Sequence, residues 1–152
     1  MQRTLYDYIA IGICTVVTMF VMFSCGIAHA ESEVVYQTIA MESANQSDRG
    51  MELVSHVIIN RARIGNISPE SVVLRRKQFS CWNDLAWSKA WLARYYTELV
   101  RKRAILAYSE ALASQSYTTI THYHHVNIKP YWSVGHKPSV VECDHAFYEG
   151  IR

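Results

Sequence analysis

The chain has 152 residues, with Lys and Arg totalling 15 against 13 Asp and Glu and a formal net charge of +2. Half of it is apolar and 18% charged, with only 3 Pro and 6 Gly, which excludes disordered, collagen-like and low-complexity classes and sets the prior at one globular domain. A charge this small, with scattered basic residues, gives no signature of nucleic-acid binding but suits an anionic polymer.

No residue between Asp7 and Glu31 is charged, counting His29 as neutral, and Ile9 to Ala28 reads IAIGICTVVTMFVMFSCGIA. Arg3 supplies a short positive start and Ala28-His29-Ala30 a small-x-small cleavage site, so residues 1–30 read as an export signal peptide. The apolar run is also long enough to span a bilayer, which leaves an uncleaved signal anchor as the alternative. The functional domain is then 31–152, periplasmic or wall-associated, touching the membrane only through the leader and expected to be a monomer. Cys14 and Cys25 leave with the leader. Cys81 and Cys143 remain, and in an oxidising compartment that pair is expected to form a disulfide.

Residues 31–41 carry apolar positions at helical spacing and deliver Glu42 to a small polar turn, Ser43-Ala44-Asn45-Gln46. Ser47 is a good N-cap for a second helix, with Asp48 in its first turn and Met51, Val54, Val57-Ile58 and Arg61 along one face. Gly65-Asn66 ends it, and Ser68-Pro69 opens a short third helix. Gln78 to Asp84 (QFSCWND) reads as a loop. From Asp84 to Ser114 there is no Gly or Pro, and the apolar spacing predicts a long helical stretch, broken at most once, with a solvated basic face that includes Arg101, Lys102 and Arg103. The last forty residues are rich in Thr, Tyr and His and predict a small C-terminal β-hairpin, with Cys143 to Tyr148 as strand. The fold class is α+β, mainly α, in a single domain.

Glu42 sits against Ile39 and Met41 with no basic neighbour in the chain, the kind of apolar setting that suits a carboxyl to general-acid work. His122, His124, His125, His136 and His145 match no zinc spacing, and there is no H-E-x-x-H, so no metal or other cofactor is expected; polar contacts along a cleft are the preferred reading. Phe79, Trp82, Tyr123, Tyr131, Trp132, Phe147 and Tyr148 concentrate in the loop and hairpin segments. Aromatic faces of this kind stack on sugars; Phe147 and Tyr148 read better as core.

Four co-linear segments resemble the SleB-like cell wall hydrolases: Glu42 followed by Gly50, Val54 and Val57-Ile58-Ile59-Asn60-Arg61; Gln78-Phe79-Ser80-Cys81-Trp82-Asn83-Asp84; Thr121-His122-Tyr123-His124 with Pro130-Tyr131-Trp132; and His145-Ala146-Phe147-Tyr148. The resemblance implies a lysozyme-like fold that acts on peptidoglycan, with Glu42 as catalytic acid and Gln78, Phe79, Trp82, Tyr123, His124 and Trp132 as substrate contacts. The chain departs from the family pattern after Glu42, where Ser43-Ala44-Asn45-Gln46 replaces Ala-Arg-Gly-Glu, and before His145, where Cys143-Asp144 replaces a Gly. Asp48, Glu52 and Asp84 are the candidates for a second carboxylate, none in an apolar setting. A single glutamate suits lytic transglycosylase chemistry; a water-using muramidase, a zinc-dependent amidase and a non-catalytic glycan-binding protein are the alternatives.

Overall fold

A computed structural model describes residues 33–151. The leader and its two cysteines lie outside the described residues. Helix α1 runs over 33–43 and α2 over Asp48–Gly65. Then follow α3 (Pro69–Val73), a 3-10 turn at Ser80–Trp82, α4 (Leu85–Tyr95) and α5 (Glu98–Ala113). Strand β1 (Ile120–His125), a 3-10 turn at Tyr131–Ser133, and strands β2 (Val140–Glu142) and β3 (His145–Glu149) complete the chain. The architecture is α+β and mainly α, as the sequence predicts. The hairpin is extended by a third strand, because β1 pairs antiparallel with β3 to give the order β1-β3-β2.

The helix boundaries follow local chemistry. Ser47 accepts from the Gly50 amide at 3.0 Å, and Asn66 takes a left-handed conformation (φ 48°) at the C-cap of α2. Pro69 stands in the first turn of α3, and Ser68 accepts from the Ser71 amide. The long stretch after Asp84 does break once. Tyr96 ends α4, and Thr97 caps α5 by accepting from the Val100 amide at 3.3 Å.

Helix α2 is the centre of the molecule, with Met51, Leu53, Val54, Val57 and Ile58 fully buried. Against it pack Val35 and Ile39 of α1, Val72 and Val73 of α3, Ile120 and Phe147 of the sheet, and Ala104 and Ala107 of α5. The α5 contact departs from the sequence expectation. Leu99, Leu106 and Leu112, which mark the apolar spacing there, are 58–70% exposed, while Ala104, Ala107 and Ala111 face inward. Small side chains let two helices approach closely, so the inward stripe is the one with the least apolar bulk. Arg103 is also no member of a solvated face. It donates to Asp48 at 2.8 Å and to the carbonyls of Ala44 and Gln46, clamping the turn after Glu42.

Two polar residues of α2 set the position of the sheet. Asn60, 2% exposed, donates from Nδ2 to the carbonyls of Tyr117 and Ile120 at 2.8 and 2.7 Å. Arg61 donates from Nε to the Thr121 carbonyl at 2.7 Å and from Nη1 to the Gln78 carbonyl at 3.4 Å, with its guanidinium over the Phe79 ring. Tyr117 adopts a left-handed backbone (φ 54°), unusual for a bulky residue. Its carbonyl is held by Asn60, its hydroxyl by Arg49 at 2.6 Å and its ring by His56.

Replacing Asn60 by Ala leaves two buried carbonyls without their donor. The loss expected in urea unfolding of the purified protein is about 2–3 kcal/mol, with little change in the m-value; a loss below about 0.5 kcal/mol would show that these bonds do not carry the sheet.

Candidate active site

Glu42 ends α1 half-buried, and three donors from two distant segments converge on its carboxylate. Oε1 accepts from the Cys81 amide at 3.1 Å and from Ser80 Oγ at 3.4 Å. Oε2 accepts from the Tyr123 hydroxyl at 2.9 Å. The setting is therefore a polar cradle and not the apolar one that its chain neighbours suggest. The 3-10 turn at Ser80–Trp82 aims the Cys81 amide, and Ser88 Oγ of α4 anchors that turn by donating to the Cys81 carbonyl. The alternation of β1 aims Tyr123 inward, where it stacks on Phe147 with ring centroids 5.5 Å apart.

Burial, and next to it the charge of Glu42, pushes the Tyr123 hydroxyl well above its ordinary range, so it stays protonated and donates. Burial lowers the Arg61 guanidinium, an effect opposed by Tyr123 and Glu42; arginine nonetheless remains a cation. His145 is lowered by burial first, which keeps its imidazole neutral near pH 7. Its Nδ1 is buried without a hydrogen-bond partner.

These groups line one open cleft of about 400 Å³: Glu42, Arg61, Lys77, Gln78, Phe79, Ser80, Asn83, Tyr123, His124, His125, Ile128 and His145. Of the residues expected to contact substrate, Gln78, Phe79, Tyr123 and His124 meet here with Glu42. Trp82 and Trp132 do not line this cleft. The Trp82 indole donates to Thr38 Oγ1 at 2.9 Å and packs against the core. Trp132 packs on the opposite face of β1, against His122, His124 and Tyr148 at 5.1–5.5 Å. Phe147 and Tyr148 are core residues, 0% and 5% exposed.

Arg61 and His145 complete the cleft. His145 is one of the histidines whose sequence reading is polar contact along a cleft. Arg61 was not singled out as a site residue, although a charge on the apolar face of α2 was a signal, since it needs a partner. Among the described residues no three His, Cys, Asp or Glu side chains converge as a metal-ligating group. Strand alternation puts His122 and His124 on one face, and His125 opposite His145 on the other.

The expected Cys81–Cys143 disulfide is corrected by the structure, in which both are free thiols. Cys81 is buried behind the Glu42 cradle, and burial followed by the Glu42 charge pushes its thiol far up. Cys143 is exposed at the two-residue turn between β2 and β3, with Sγ 3.7 Å from Glu142, and takes φ 47°, a conformation that favours glycine.

The turn where the family-like pattern lapses has a structural use here. Gln46, 6% exposed, accepts from the Asp144 amide at 3.1 Å. A Cβ at Gly50 would lie 2.9 Å from Gln46 Cβ, so that glycine permits the close approach of the turn to α2.

A family model described as cell wall hydrolase matches residues 45–148, more than half of the chain. The protein belongs to the cell wall hydrolase family. No curated protein and no solved structure matches it.

Two measurements check the site. Tyr123→Phe removes a buried donor to a charged carboxylate and is expected to lower activity about 10- to 100-fold with the fold intact; activity within twofold of the parent would assign Tyr123 to packing alone. Under native alkylation Cys143 should label and Cys81 should not, both labelling after unfolding without reductant; a Cys81–Cys143 cross-linked peptide by mass spectrometry would refute the free-thiol arrangement.

Proposed function

We propose that this cell wall hydrolase cleaves the glycan strand of peptidoglycan by lytic transglycosylase chemistry, with Glu42 as the one acid and base. The supporting observation is the carboxylate count at the cleft. Among the described residues Glu42 is the one carboxylate that lines the 400 Å³ cleft. The three other candidates have partners of their own. Asp84, in the wall of an adjoining hollow that Glu42 also lines, caps α4 by accepting from the Ala86 and Trp87 amides at 2.9 and 3.0 Å. Asp48 pairs with Arg103 at 2.8 Å, and Glu52 lies 3.5 Å from His56. A water-using glycosidase ordinarily needs a second carboxylate as base or nucleophile.

In this reading the Glu42 carboxyl gives its proton to the glycosidic oxygen as the C1–O bond breaks. The resulting carboxylate then takes the proton of the muramyl 6-hydroxyl as that oxygen closes on C1. The products are a 1,6-anhydro-muramyl end and a new free hydroxyl, and no water is consumed. The Cys81 amide and the Ser80 and Tyr123 hydroxyls hold the Glu42 carboxyl oxygens in place for the two proton transfers. The substrate lies outside the cytoplasm, and residues 1–30, read as a leader, would export the chain to it.

Glu42→Gln keeps the hydrogen-bonding shape and removes the proton, so turbidity clearing of purified sacculi should fall about 10²- to 10⁴-fold with an unchanged melting temperature. Mass spectrometry of the muropeptides released by the parent should find anhydro ends. New reducing ends would instead assign a muramidase, and peptides freed from the lactyl group an amidase. Lysis retained by pure Glu42→Gln protein sinks the assignment.

A further inference from the structure

We propose that Trp87, Trp91 and Tyr95 of α4 form a sugar-stacking subsite for the glycan strand to one side of Glu42, an assignment that rests on the glycan-cleaving reading above. The three aromatics recur every fourth residue and so share one face of the helix. That face has no partner in the core. Ser88 is the buried residue of α4, while Trp87 and Tyr95 are 49% and 47% exposed. Two tryptophans and a tyrosine on an amphipathic surface helix would ordinarily be its buried stripe.

The face is concave. With Met41, Ala44 and Asn45 at the end of α1 and Val100 on α5, the aromatics enclose a hollow of about 530 Å³. The hollow continues into the site. Met41 and Trp87 also line an adjoining hollow of about 310 Å³, whose wall includes Glu42 itself, and Ser80 and Asn83 carry that wall on into the cleft beside Tyr123. The three hollows thus share walls, with Glu42 in two of them and Arg61 in the last.

The lining matches the two-sided chemistry of a hexose, whose C–H face packs on aromatic rings and whose hydroxyls bond at the edge. Trp91 and Tyr95 have ring centroids 5.6 Å apart and planes tilted by 49°, two faces set at an angle to each other. Trp87 stands nearer Glu42, and Asn45 and Asn83 offer amides at the rim. Arg94 lies 5.2 Å over the Tyr95 ring and puts a cation at the far end, where carboxylates carried by the wall polymer would meet it. Such a subsite grips sugars away from the scissile bond and positions the strand across Glu42.

The test uses Glu42→Gln protein, which should bind without turnover, and peptide-free glycan strands as the probe. Trp87→Ala and Trp91→Ala in that background should each weaken binding about tenfold, with Trp→Tyr at either position recovering most of it. On sacculi, the same Ala substitutions beside an intact Glu42 should raise KM and leave kcat nearly unchanged. Bound strands should also shield Trp87 and Trp91 from chemical oxidation, read by peptide mass spectrometry, a measurement that needs no aromatic substitution. Glycan affinity within twofold of the parent for both Ala variants, or full oxidation of both tryptophans under saturating strands, overturns the subsite and leaves Glu42 standing. Lysis by Glu42→Gln, or amidase products from the parent, overturns the reading beneath it and the subsite with it.

Discussion

Helix α2 is buried around most of its circumference, and the hydrogen bonds that its Asn60 and Arg61 make to neighbouring segments organise the rest of the structure. Asn60 is buried and Arg61 half-buried at the edge of the cleft, and they bond to the carbonyls of Tyr117, Ile120, Thr121 and Gln78. Each such bond is worth roughly 1 kcal/mol net, but leaving the group unmade inside costs more. The entry of β1 and the end of the 75–78 segment are thereby tied to one turn of one helix. Tyr123 follows three residues after Ile120, and Phe79 and Ser80 follow directly on Gln78. The groups that hold Glu42 are thus placed by pairing demands one step behind them.

The cradle that results is made from a backbone amide, a serine and a buried tyrosine. Both hydroxyls and the amide donate, so the geometry favours a carboxylate held in one orientation over a freely rotating one. Orientation matters for a group that must give a proton at one place and take it back at another. The turn after Glu42 is held independently by Arg103, by the Asp144 amide on Gln46 and by the close approach at Gly50. Departures from the family-like pattern fall there and at Cys143-Asp144, and the two departing segments contact each other. Gln46 receives its hydrogen bond from the Asp144 amide.

Much of the fold was legible from residue to residue. Ser47, Asn66 and Ser68-Pro69 mark boundaries through bonds they make within their own turn, so their chemistry can be read locally, whereas the break at Thr97 was expected without its place. The inward face of α5 was not legible. Hydrophobicity ranks Leu99 and Leu106 above Ala104 and Ala107, but the distance to α2 admits only the small side chains. The same limit separated Trp82 and Trp132 from the cleft. Aromatic residues near turns are equally good as packing and as binding surface, and which they become depends on a partner such as Thr38 or Tyr148 that only the folded chain supplies. The disulfide expectation failed for a related reason. Cysteine count and compartment say that a pair is available, but not that one thiol is sealed behind Glu42 and the other stands at an exposed turn.

The sequence by itself determined the class: a mainly helical domain, four ordered segments that resemble those of cell wall hydrolases, and Glu42 at the end of an apolar helix. These are properties of spacing and of local bonding, which the chain carries whether folded or not. Only the tertiary structure decided that Glu42 is cradled by Ser80, Cys81 and Tyr123, that Arg61 and His145 join it, and that the aromatic face of α4 opens toward the same carboxylate. The bonds of the cradle alone link residues 38 to 81 positions apart along the chain, and no local pattern can fix a distance that the packing around α2 sets.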